Sequence, residues 1–399
     1  MTKNDDKRVP ALRFKGFNDD WAQRLLKHFI TVSSQKNLDN SFDKFDVLSV
    51  SGKYGIVNQI KFQGRSFAGK TLTNYKVVNT NDVVYTKSPI KNNPYGVIKV
   101  NKHKSGIVST LYAVYNPTKY VCSNFVELYF NDNLRLNKYL KPIVNIGAKH
   151  DMKIANKEVI NHNVIFPEVE EQRQICTLFL KLEKLISLQQ RKLQQLKLLK
   201  KAMLQDLFTD KNVPKLRFNG FDANWIQCKL EKEALLTMGQ SPSGSTYSDQ
   251  PSTYILVQGN ADLKNGWVKP RIWTTQITKL AKKGDIIITV RAPAGKVGRT
   301  NFDVVLGRGV ASIQGNDFIF YLLSKMDMNK YWKKYAAGST FESINSNDIK
   351  NTRVHVPNLP EQNRIANLFL RLDDLIRFQQ NKLNNLQKTK QFLLQNMFI

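Results

Sequence analysis

Apolar residues recur at helical spacing along two long stretches of the chain, 167–208 and 357–398. Each stretch opens on a proline followed by glutamate, an order that suits the start of a helix and its dipole. The apolar positions repeat in heptads beside a flanking apolar row, which predicts two long amphipathic helices. The residues that we predict to pack between the helices and to bind partners are Ile175, Phe179, Leu182, Ile186, Gln189, Ile365, Phe369, Leu372, Ile376 and Gln379.

The two stretches are copies of one pattern, P-x-x-x-E-Q-x-x-I-x-x-L-F-L-x-L. A second repeat relates 9–26 (VPALRFKGFNDDWAQRLL) to 213–230 (VPKLRFNGFDANWIQCKL). The chain is therefore a tandem of two similar halves. The predicted domains are a globular segment over 1–166, a helical segment over 167–208, a second globular segment over 209–356 and a second helical segment over 357–399.

A helix of this kind cannot bury its apolar stripe alone, so we predict that the two copies pack on each other as an antiparallel pair with an approximate two-fold axis. Leu178, Leu185, Lys192 and Leu199 are expected to form the second row of the seam. Gln189 and Gln379 are polar seam positions, which either set the register of the pair or face solvent.

The segments between the repeats are less alike. Residues 81–86 and 284–289 each place a turn before an apolar run, which predicts a buried strand in both segments. The fold class is therefore α+β: two α/β domains separated by two long helices that pack as an antiparallel coiled-coil spacer, in a pseudo-two-fold tandem repeat.

The composition changes this picture through its charge. The chain of 399 residues has 61 Lys and Arg against 32 Asp and Glu, a formal net charge of +29. Of this excess, +12 lies in 27–166 and +7 in 231–356, so the two unlike segments are the ones that should meet a polyanion. Nucleic acid is the favoured partner, with an anionic membrane surface as the competitor.

Other classes are disfavoured by what the sequence contains. Its three cysteines are far apart and its five histidines lack metal-ligand spacing, so neither a disulfide scaffold nor a metal centre is expected. The polar N-terminus does not resemble a signal peptide, and no apolar run reaches the length of a membrane span. We expect a soluble cytoplasmic protein with no membrane association.

Two short motifs suggest chemistry that their surroundings do not support. Residues 64–71 match G-x-x-x-x-G-K-[ST], but the residues that follow predict a strand, whereas phosphate binding requires a helix there. Asn92-Asn93-Pro94-Tyr95 resembles the Asn-Pro-Pro-Tyr signature of amino-methyltransferases but has one proline and no preceding cofactor loop. No catalytic triad or supported carboxylate pair is recognised, so the chain is expected to be non-catalytic and to bind no cofactor itself.

Side chains suited to DNA lie in predicted loops of both segments, where cations fit guanine, amides fit adenine, and many contacts only hold phosphates. In the first segment the candidates are Lys53, Tyr54, Arg65, Lys70, Lys87, Ser88, Lys91, Asn92 and Asn93. In the second they are Gln240, Ser241, Ser243, Tyr247, Gln258, Asn260, Arg291, Lys296, Arg299 and Arg308.

The two LRF-x-G-F…W segments, the two P-x-x-x-E-Q-x-x-I helices and the two diverged segments resemble the specificity (S) subunit of type I restriction–modification systems over essentially the whole chain. The stretches 239–243 (GQSPS) and 284–291 (GDIIITVR) are typical of target-recognition domains in that family. The resemblance assigns one target-recognition domain to 1–166 and one to 209–356.

The resemblance implies that each recognition domain reads one half of a bipartite, asymmetric site in double-stranded DNA. The helices would set the gap between the half-sites and dock two adenine-N6 methyltransferase (M) subunits, and two restriction (R) subunits would join them. S-adenosylmethionine, ATP and magnesium would then be bound by the partner subunits. Two alternatives stay open from the residues alone: a stand-alone methyltransferase or nuclease with fused recognition domains, and an RNA-binding scaffold.

Overall fold

A computed structural model describes residues 9–90, 92–146, 152–335 and 343–399. The chain forms two compact units. Unit 1 comprises residues 1–188 together with 382–399, and unit 2 comprises residues 189–381. Both boundaries fall inside long helices, so each unit contains one part of each helix.

Unit 1 is built on a four-stranded sheet with the order β2-β9-β6-β7, accompanied by the two-stranded pairs β1-β12, β3-β4, β5-β8 and β10-β11. Its strands are β1 (Ala22–Leu25), β2 (Ile30–Val32), β3 (Leu48–Ser51), β4 (Gly55–Asn58), β5 (Lys76–Val78), β6 (Val83–Thr86), β7 (Ile98–Val100), β8 (Gly106–Val108), β9 (Tyr112–Pro117), β10 (Asn145–Ile146), β11 (Met152–Lys153) and β12 (Asn163–Phe166). Its short helices are α1 (Gln59–Gln63), α2 (Ser123–Phe130), α3 (Asn133–Leu140) and α4 (Asn156–Val159).

The long helices are α5 (Val169–Leu207) and α8 (Leu359–Asn396), which confirms the two predicted helical stretches to within a few residues. In unit 2, α6 (Asp317–Met328) begins at Asn316, whose side chain accepts a hydrogen bond from the Ile319 amide, and α7 (Ser346–Lys350) is capped in the same way by Asn345.

Unit 2 has a six-stranded sheet with the order β14-β24-β21-β22-β18-β17, a five-stranded sheet with the order β15-β19-β16-β23-β20, and the pair β13-β25. Its strands are β13 (Ile226–Lys229), β14 (Leu235–Met238), β15 (Tyr247–Ser248), β16 (Tyr254–Val257), β17 (Leu263–Lys264), β18 (Trp267–Val268), β19 (Ile272–Thr274), β20 (Leu280–Ala281), β21 (Ile286–Thr289), β22 (Val297–Arg299), β23 (Val304–Leu306), β24 (Val310–Gln314) and β25 (Arg353–Val356).

The strand prediction for 81–86 and 284–289 is confirmed, because β6 and β21 are fully buried and each pairs with a neighbour on both sides. Short 3-10 turns follow the first strand of each unit, at Leu26–His28 and Leu230–Lys232.

Each unit closes its core with a phenylalanine that lies just after the end of a long helix, and that helix began in the other unit. In unit 1, Phe398 from the end of the chain lies 5.4 Å, between ring centroids, from Phe125, and Trp21 lies 5.9 Å from the same ring. In unit 2, Phe208 lies 4.9 Å from Phe318, and Trp225 lies 5.6 Å from that ring. The repeated tryptophan and phenylalanine therefore perform the same packing role in both units.

A buried ion pair ties the start of each unit to a long helix. Arg13 donates two hydrogen bonds of 2.8 Å to the Glu171 carboxylate, and Arg217 donates two of 2.8 Å to Glu361. Both glutamates are 1% exposed. Removal of either partner would leave a buried charge without its counterion, which is strongly destabilising. This explains why R of LRF and E of P-x-x-x-E-Q recur together.

The two long helices run antiparallel within each unit. Glu183 accepts a hydrogen bond of 2.9 Å from Lys390 in unit 1, where Phe179 also lies 6.1 Å from Phe398. In unit 2 the Lys200 ammonium bonds to Asp373, which also accepts from the Tyr321 hydroxyl at 2.9 Å. The predicted packing of the two helix copies is confirmed.

The inner row of the stripe differs in part from the prediction. Residues 175, 179, 182 and 193 are buried, and so are 365, 369, 372 and 383. Leu185 and Leu199 are 46% and 49% exposed and Lys192 is exposed, so the second seam row predicted at these three positions is wrong. Apolar residues stand on both sides of the first row, and only the packing partner decides which side is buried.

The polar seam residues of the two helix copies, Gln189 and Gln379, are hydrogen-bonded to each other. The Gln379 side-chain amide, which is buried, donates to the Gln189 side-chain oxygen in unit 2. Of the two alternatives, register and solvent, the amide pair favours register, because a slip of the helices would leave a buried amide without a partner.

The shared packing role predicts that truncation of Phe398 disrupts the unit that begins the chain. Phe398→Ala should lower the free energy of unfolding by about 3–5 kcal/mol, the range for a buried phenylalanine. Hydrogen exchange read by mass spectrometry should show the loss of protection in β1, α2 and β12, whereas Phe208→Ala should expose β13, α6 and β25. Loss of protection in unit 2 alone after Phe398→Ala would contradict the assignment.

Candidate nucleic-acid interface

Three loops of unit 2 meet where its two sheets end. The Gly239 amide donates to the Val310 carbonyl at 3.0 Å, the Gln240 amide to Leu306 at 2.9 Å, and the Gly307 amide to Val257 at 2.8 Å. A fourth segment joins them, since the Val290 amide donates to the Gly309 carbonyl at 2.9 Å. We call this convergence the unit 2 loop surface, and its polar side chains are Gln240, Ser241, Gln258, Arg291 and Arg308.

Glycines permit the close approach of these loops. A Cβ on Gly309 would lie 2.1 Å from the Gln258 carbonyl oxygen, and one on Gly239 would lie 2.1 Å from the Gly307 carbonyl oxygen. The backbone is therefore held in one arrangement from which the neighbouring side chains project.

Backbone hydrogen bonds fix the positions of the residues on this surface, while most of their side chains remain exposed. Arg308 lies outside the strands, and its amide donates to the Ser241 hydroxyl at 3.0 Å. The Arg308 side chain is exposed. Gln240 and Arg291 are exposed as well, and Gln258 is partly buried. The turn after Gln258 is fixed by the buried Asp262, which accepts from the Gln258 amide at 2.7 Å.

Three further predicted residues of unit 2 border this surface. Ser243 donates its amide to the Gln276 side chain at 2.7 Å, and the Tyr247 hydroxyl donates to the Pro242 carbonyl at 3.3 Å, so both stabilise the loop over 240–247. Asn260 is exposed in the turn that follows Gln258.

The remaining two predicted cations of unit 2 form ion pairs with acidic residues of the same unit. The Arg299 guanidinium pairs with Asp317 and lies 4.4 Å from the centre of the Phe320 ring. The Lys296 ammonium donates to Asp327 at 2.9 Å. Their contacts join β22 to α6, which gives both residues a structural role.

Unit 1 repeats the framework of this surface. The Lys87 amide, directly after β6, donates to the Leu111 carbonyl at 3.3 Å, which matches the bond of Val290 in unit 2. The Ser33 amide, directly after β2, donates to the Val114 carbonyl at 2.9 Å, two residues farther along its partner strand than the bond of Gly239. By this pairing the residues after β2 and after β6 correspond to those after β14 and β21. The unit 1 loop surface therefore contains Gln35, Lys36, Lys87 and Ser88.

Sequence reasoning missed Gln35 and Lys36 on this surface, together with the neighbouring Lys76. Lys36 and Lys76 face each other across an isolated β-bridge. The pKa of Lys76 is lowered by burial and then by the nearby charges of Lys87 and Lys36. The loop after β2 could have been identified from the sequence. The similarity of the strands at 81–86 and 284–289 aligns the two segments, and SSQK then follows β2 as GQSPS follows β14.

Lys87 is partly buried, and its ammonium donates to the Ile154 carbonyl at 2.9 Å. Burial lowers the pKa of this lysine. Three lysines thus crowd one surface of unit 1, and a polyanion would relieve their repulsion.

The other predicted residues of unit 1 divide between two places. Lys53 and Tyr54 form the exposed turn of the β3-β4 hairpin, with the ammonium 5.0 Å from the ring centre. Arg65 lies 4.6 Å from the Phe67 ring in the loop after α1. Lys70 is exposed in this same loop, and no helix follows it before β5, so the loop over 64–71 lacks the helix that a phosphate-binding motif requires.

The predicted residues near position 92 differ in their exposure to solvent. Asn92 is exposed, whereas Asn93 is buried and forms a backbone bridge with Ile90. Lys91 lies outside the described residues.

Within the described part of the chain, no group of three or more His, Cys, Asp or Glu side chains could hold a metal ion. In the same ranges no helix has the length and apolarity to cross a membrane.

Known proteins resemble this chain in sequence and in fold. Residues 237–388 match the family model described as the type I restriction modification DNA specificity domain. A putative type I restriction enzyme specificity subunit of Methanocaldococcus jannaschii is 28% identical over 291 residues, covering 70% of this chain and 68% of that protein. This chain is similar to the specificity subunits of type I restriction–modification systems.

A second specificity subunit of Methanocaldococcus jannaschii is 29% identical to this chain over 207 residues, which is 46% of each chain. The expectation that activity resides in other subunits agrees with the names of these relatives.

Solved structures show the same fold. A type I restriction–modification system S subunit from M. genitalium has a TM-score of 0.60 at 12% identity and covers 98% of this chain and 99% of its own. A chain from a structure describing complex assembly and conformational transition of the type I R-M system has a TM-score of 0.55 at 20% identity, with 95% and 97% covered. The predicted α+β class of this chain, with its two long helices, is confirmed.

The glycine contacts of the unit 2 loop surface give a direct test. Gly309→Ala places a methyl group against the Gln258 carbonyl and should reduce the free energy of unfolding by about 1–3 kcal/mol, as overpacking does. Gly244→Ala is the matched control, since its Cβ would meet nothing within 4 Å. Urea denaturation measures both variants, and equal stability of the two would refute the close-packed loops.

Proposed function

We propose that this chain is the non-catalytic DNA-specificity subunit of a type I restriction–modification complex. The observation that carries the proposal is that two units with the same framework present unlike polar loop surfaces. A repeated framework with diverged loops suits the reading of two different sequences. The similarity to specificity subunits of type I restriction enzymes supports it.

The charge distribution supports double-stranded DNA as the ligand. The two diverged segments carry most of the excess positive charge, +12 and +7 of the +29. Such charge provides sequence-independent affinity that decreases as salt is added, because bound cations are released from DNA. Exposed lysines of the unit 1 hairpin and loop would hold phosphates, in the manner that positions a protein without specifying bases.

The loop surfaces contain the side chains that distinguish bases. The exposed guanidinium of Arg308 fits the O6 and N7 acceptors of guanine, and the amides of Gln240 and Gln258 fit the N6 and N7 groups of adenine. In unit 1, Gln35 offers the corresponding amide beside Lys36 and Lys87. Each surface would therefore read one half of a bipartite, asymmetric site.

The long helices would set the gap between the half-sites. A helix of 39 residues is about 58 Å long at a rise of about 1.5 Å per residue. One turn of DNA measures about 34 Å, so helices of this length suit two readers spaced by one turn or more.

Partner subunits would complete the activity. The helices leave apolar side chains exposed at equivalent places, Leu185 and Leu188 on α5 and Leu375 and Phe378 on α8. We propose that two adenine-N6 methyltransferase subunits dock there, and that two restriction subunits join through them. S-adenosylmethionine, ATP and magnesium would be bound by those partners, in the cytoplasm where the DNA lies.

Replacement of Arg308 tests the assignment of the reading surface. Arg308→Ala should weaken binding to the cognate duplex by about 5- to 150-fold, equivalent to about 1–3 kcal/mol, and relax the base preference at one position of one half-site. Arg353→Ala removes an equal charge from β25, outside the loop surface, and should change affinity less than about threefold by the loss of general attraction.

The measurement is fluorescence anisotropy with the assembled complex of this chain and its methyltransferase, on a target identified by methylome sequencing. Equal loss for Arg308→Ala and Arg353→Ala would contradict the assignment. Preference for structured RNA over duplex DNA, or methylation by this chain alone, would contradict the proposed function itself.

A further inference from the structure

Two of the three cysteines meet inside unit 1. The sulfur atoms of Cys122 and Cys176 lie 3.5 Å apart, although the residues are separated by 54 positions in sequence. Cys122 is partly exposed just before helix α2, and Cys176 is buried on helix α5. Neither thiol takes part in the proposed reading of DNA.

The position of Cys122 favours a thiolate. It occupies the N-cap of α2, beside the backbone amides of the first helical turn, although its side chain makes no capping hydrogen bond. The hydrogen bond with Cys176 lowers the pKa of Cys122 to about 6, with smaller contributions from the Asn124 and Phe125 amides and from the charge of Arg173, against an opposing effect of burial. A thiolate at neutral pH is the reactive form of cysteine.

The position of Cys176 favours a second, resolving thiol. Its hydrogen bond to Cys122 and its burial both raise its pKa, so it keeps its proton while Cys122 loses one. Lys102 and Glu127 are the other charged groups that act on it, in opposite directions. A reactive thiolate beside a protected thiol is the arrangement found at redox-sensitive cysteines.

Hydrogen bonds of Gln172 hold the backbone beside Cys122 against helix α5. Gln172, one turn before Cys176 on α5, accepts from the Cys122 amide at 3.0 Å and donates to the Tyr120 carbonyl at 3.2 Å. The approach of α2 to α5 is therefore set by hydrogen bonds independent of the sulfur atoms. The length of a disulfide bond is about 2.05 Å, so the two sulfurs must close by about 1.5 Å from their separation of 3.5 Å.

We propose that Cys122 and Cys176 form a peroxide-reactive thiol pair that is oxidised to a disulfide. The Cys122 thiolate attacks one oxygen of hydrogen peroxide, the O–O bond breaks, and hydroxide leaves to give a sulfenic acid on Cys122. The Cys176 sulfur then attacks the Cys122 sulfur, the S–S bond forms, the S–O bond breaks, and the departing hydroxide takes up the Cys176 proton as water. The two thiols lose two electrons and two protons, and one peroxide becomes two waters.

Cys228 in unit 2 provides an internal control. It is partly buried, and its pKa is raised to about 11 by burial and by Glu233, with which its thiol forms a contact of 3.5 Å. It should therefore remain a thiol at neutral pH and react slowly.

The test treats the full-length chain with hydrogen peroxide at neutral pH and digests it without reductant. Mass spectrometry should detect a peptide containing Cys122 linked to one containing Cys176, about 2 Da lighter than the two separate thiol peptides and separated by dithiothreitol. In a parallel alkylation of the reduced protein, Cys122 should react at least about 100-fold faster than Cys228.

Variants separate the two steps. Cys176→Ala should leave a sulfenic acid on Cys122 that a dimedone probe traps, and Cys122→Ser should abolish both the cross-link and the trapping. Circular dichroism confirms that each variant is folded; if Cys176→Ala does not fold, Cys176→Ser provides the same readout. Absence of the cross-link in the unaltered chain, or a rate for Cys228 equal to that of Cys122, would overturn the proposal.

Discussion

The inner apolar row of each long helix is buried in both units, and this burial organises the molecule. Helices α5 and α8 each begin in one unit and end in the other. The apolar stripe of each helix is therefore buried partly by the unit in which the helix begins and partly by the unit in which it ends. Phe208 completes the core of unit 2, and Phe398 completes the core of unit 1. The last residues of the chain are therefore part of the domain that begins it.

The repeated residues serve this arrangement more than they serve recognition. The pairs Arg13–Glu171 and Arg217–Glu361 anchor the first segment of each unit to the opening turn of a helix. The tryptophan that follows enters the core, where Trp21 packs on Phe398 and Trp225 packs on Phe318, which also contacts Phe208. Once those contacts fix the frame, the loops between the strands are free to differ. Diverged loops on a constant frame allow a change of target without a change of fold, which is the physical basis of the proposed specificity.

Much of this was predictable from periodicity. The helices, the tandem repeat and the buried strands at 81–86 and 284–289 all follow from patterns of apolar residues, whose spacing reports which face is covered. Periodicity could not decide whether Leu185 or Ile186 lies inside, because both flank the same buried row and only the partner helix distinguishes them.

The candidate site was less predictable, because loop side chains are specified by three-dimensional neighbours. Arg299 and Arg308 look alike as cations near glycines, yet one pairs with Asp317 and the other is exposed. Nothing in the local sequence announces that pairing, because Asp317 stands 18 positions away at the start of α6. Lys36 and Lys76 were missed for the same reason, since a β-bridge between distant segments brings them together.

The role of the helices as the determinant of spacing is tested most directly by removing one heptad from each, 189–195 together with 379–385. The pairs Glu183–Lys390 and Lys200–Asp373 both lie outside the deleted residues, so each unit keeps an ion pair between the helices, while both members of the Gln189–Gln379 pair are removed together. Each helix becomes about 10 Å shorter, equivalent to about three base pairs, with little rotation of the stripe. Methylome sequencing of cells that express the variant with its methyltransferase should show a shorter gap between two unchanged half-sites. Changed bases with an unchanged gap would contradict the central claim.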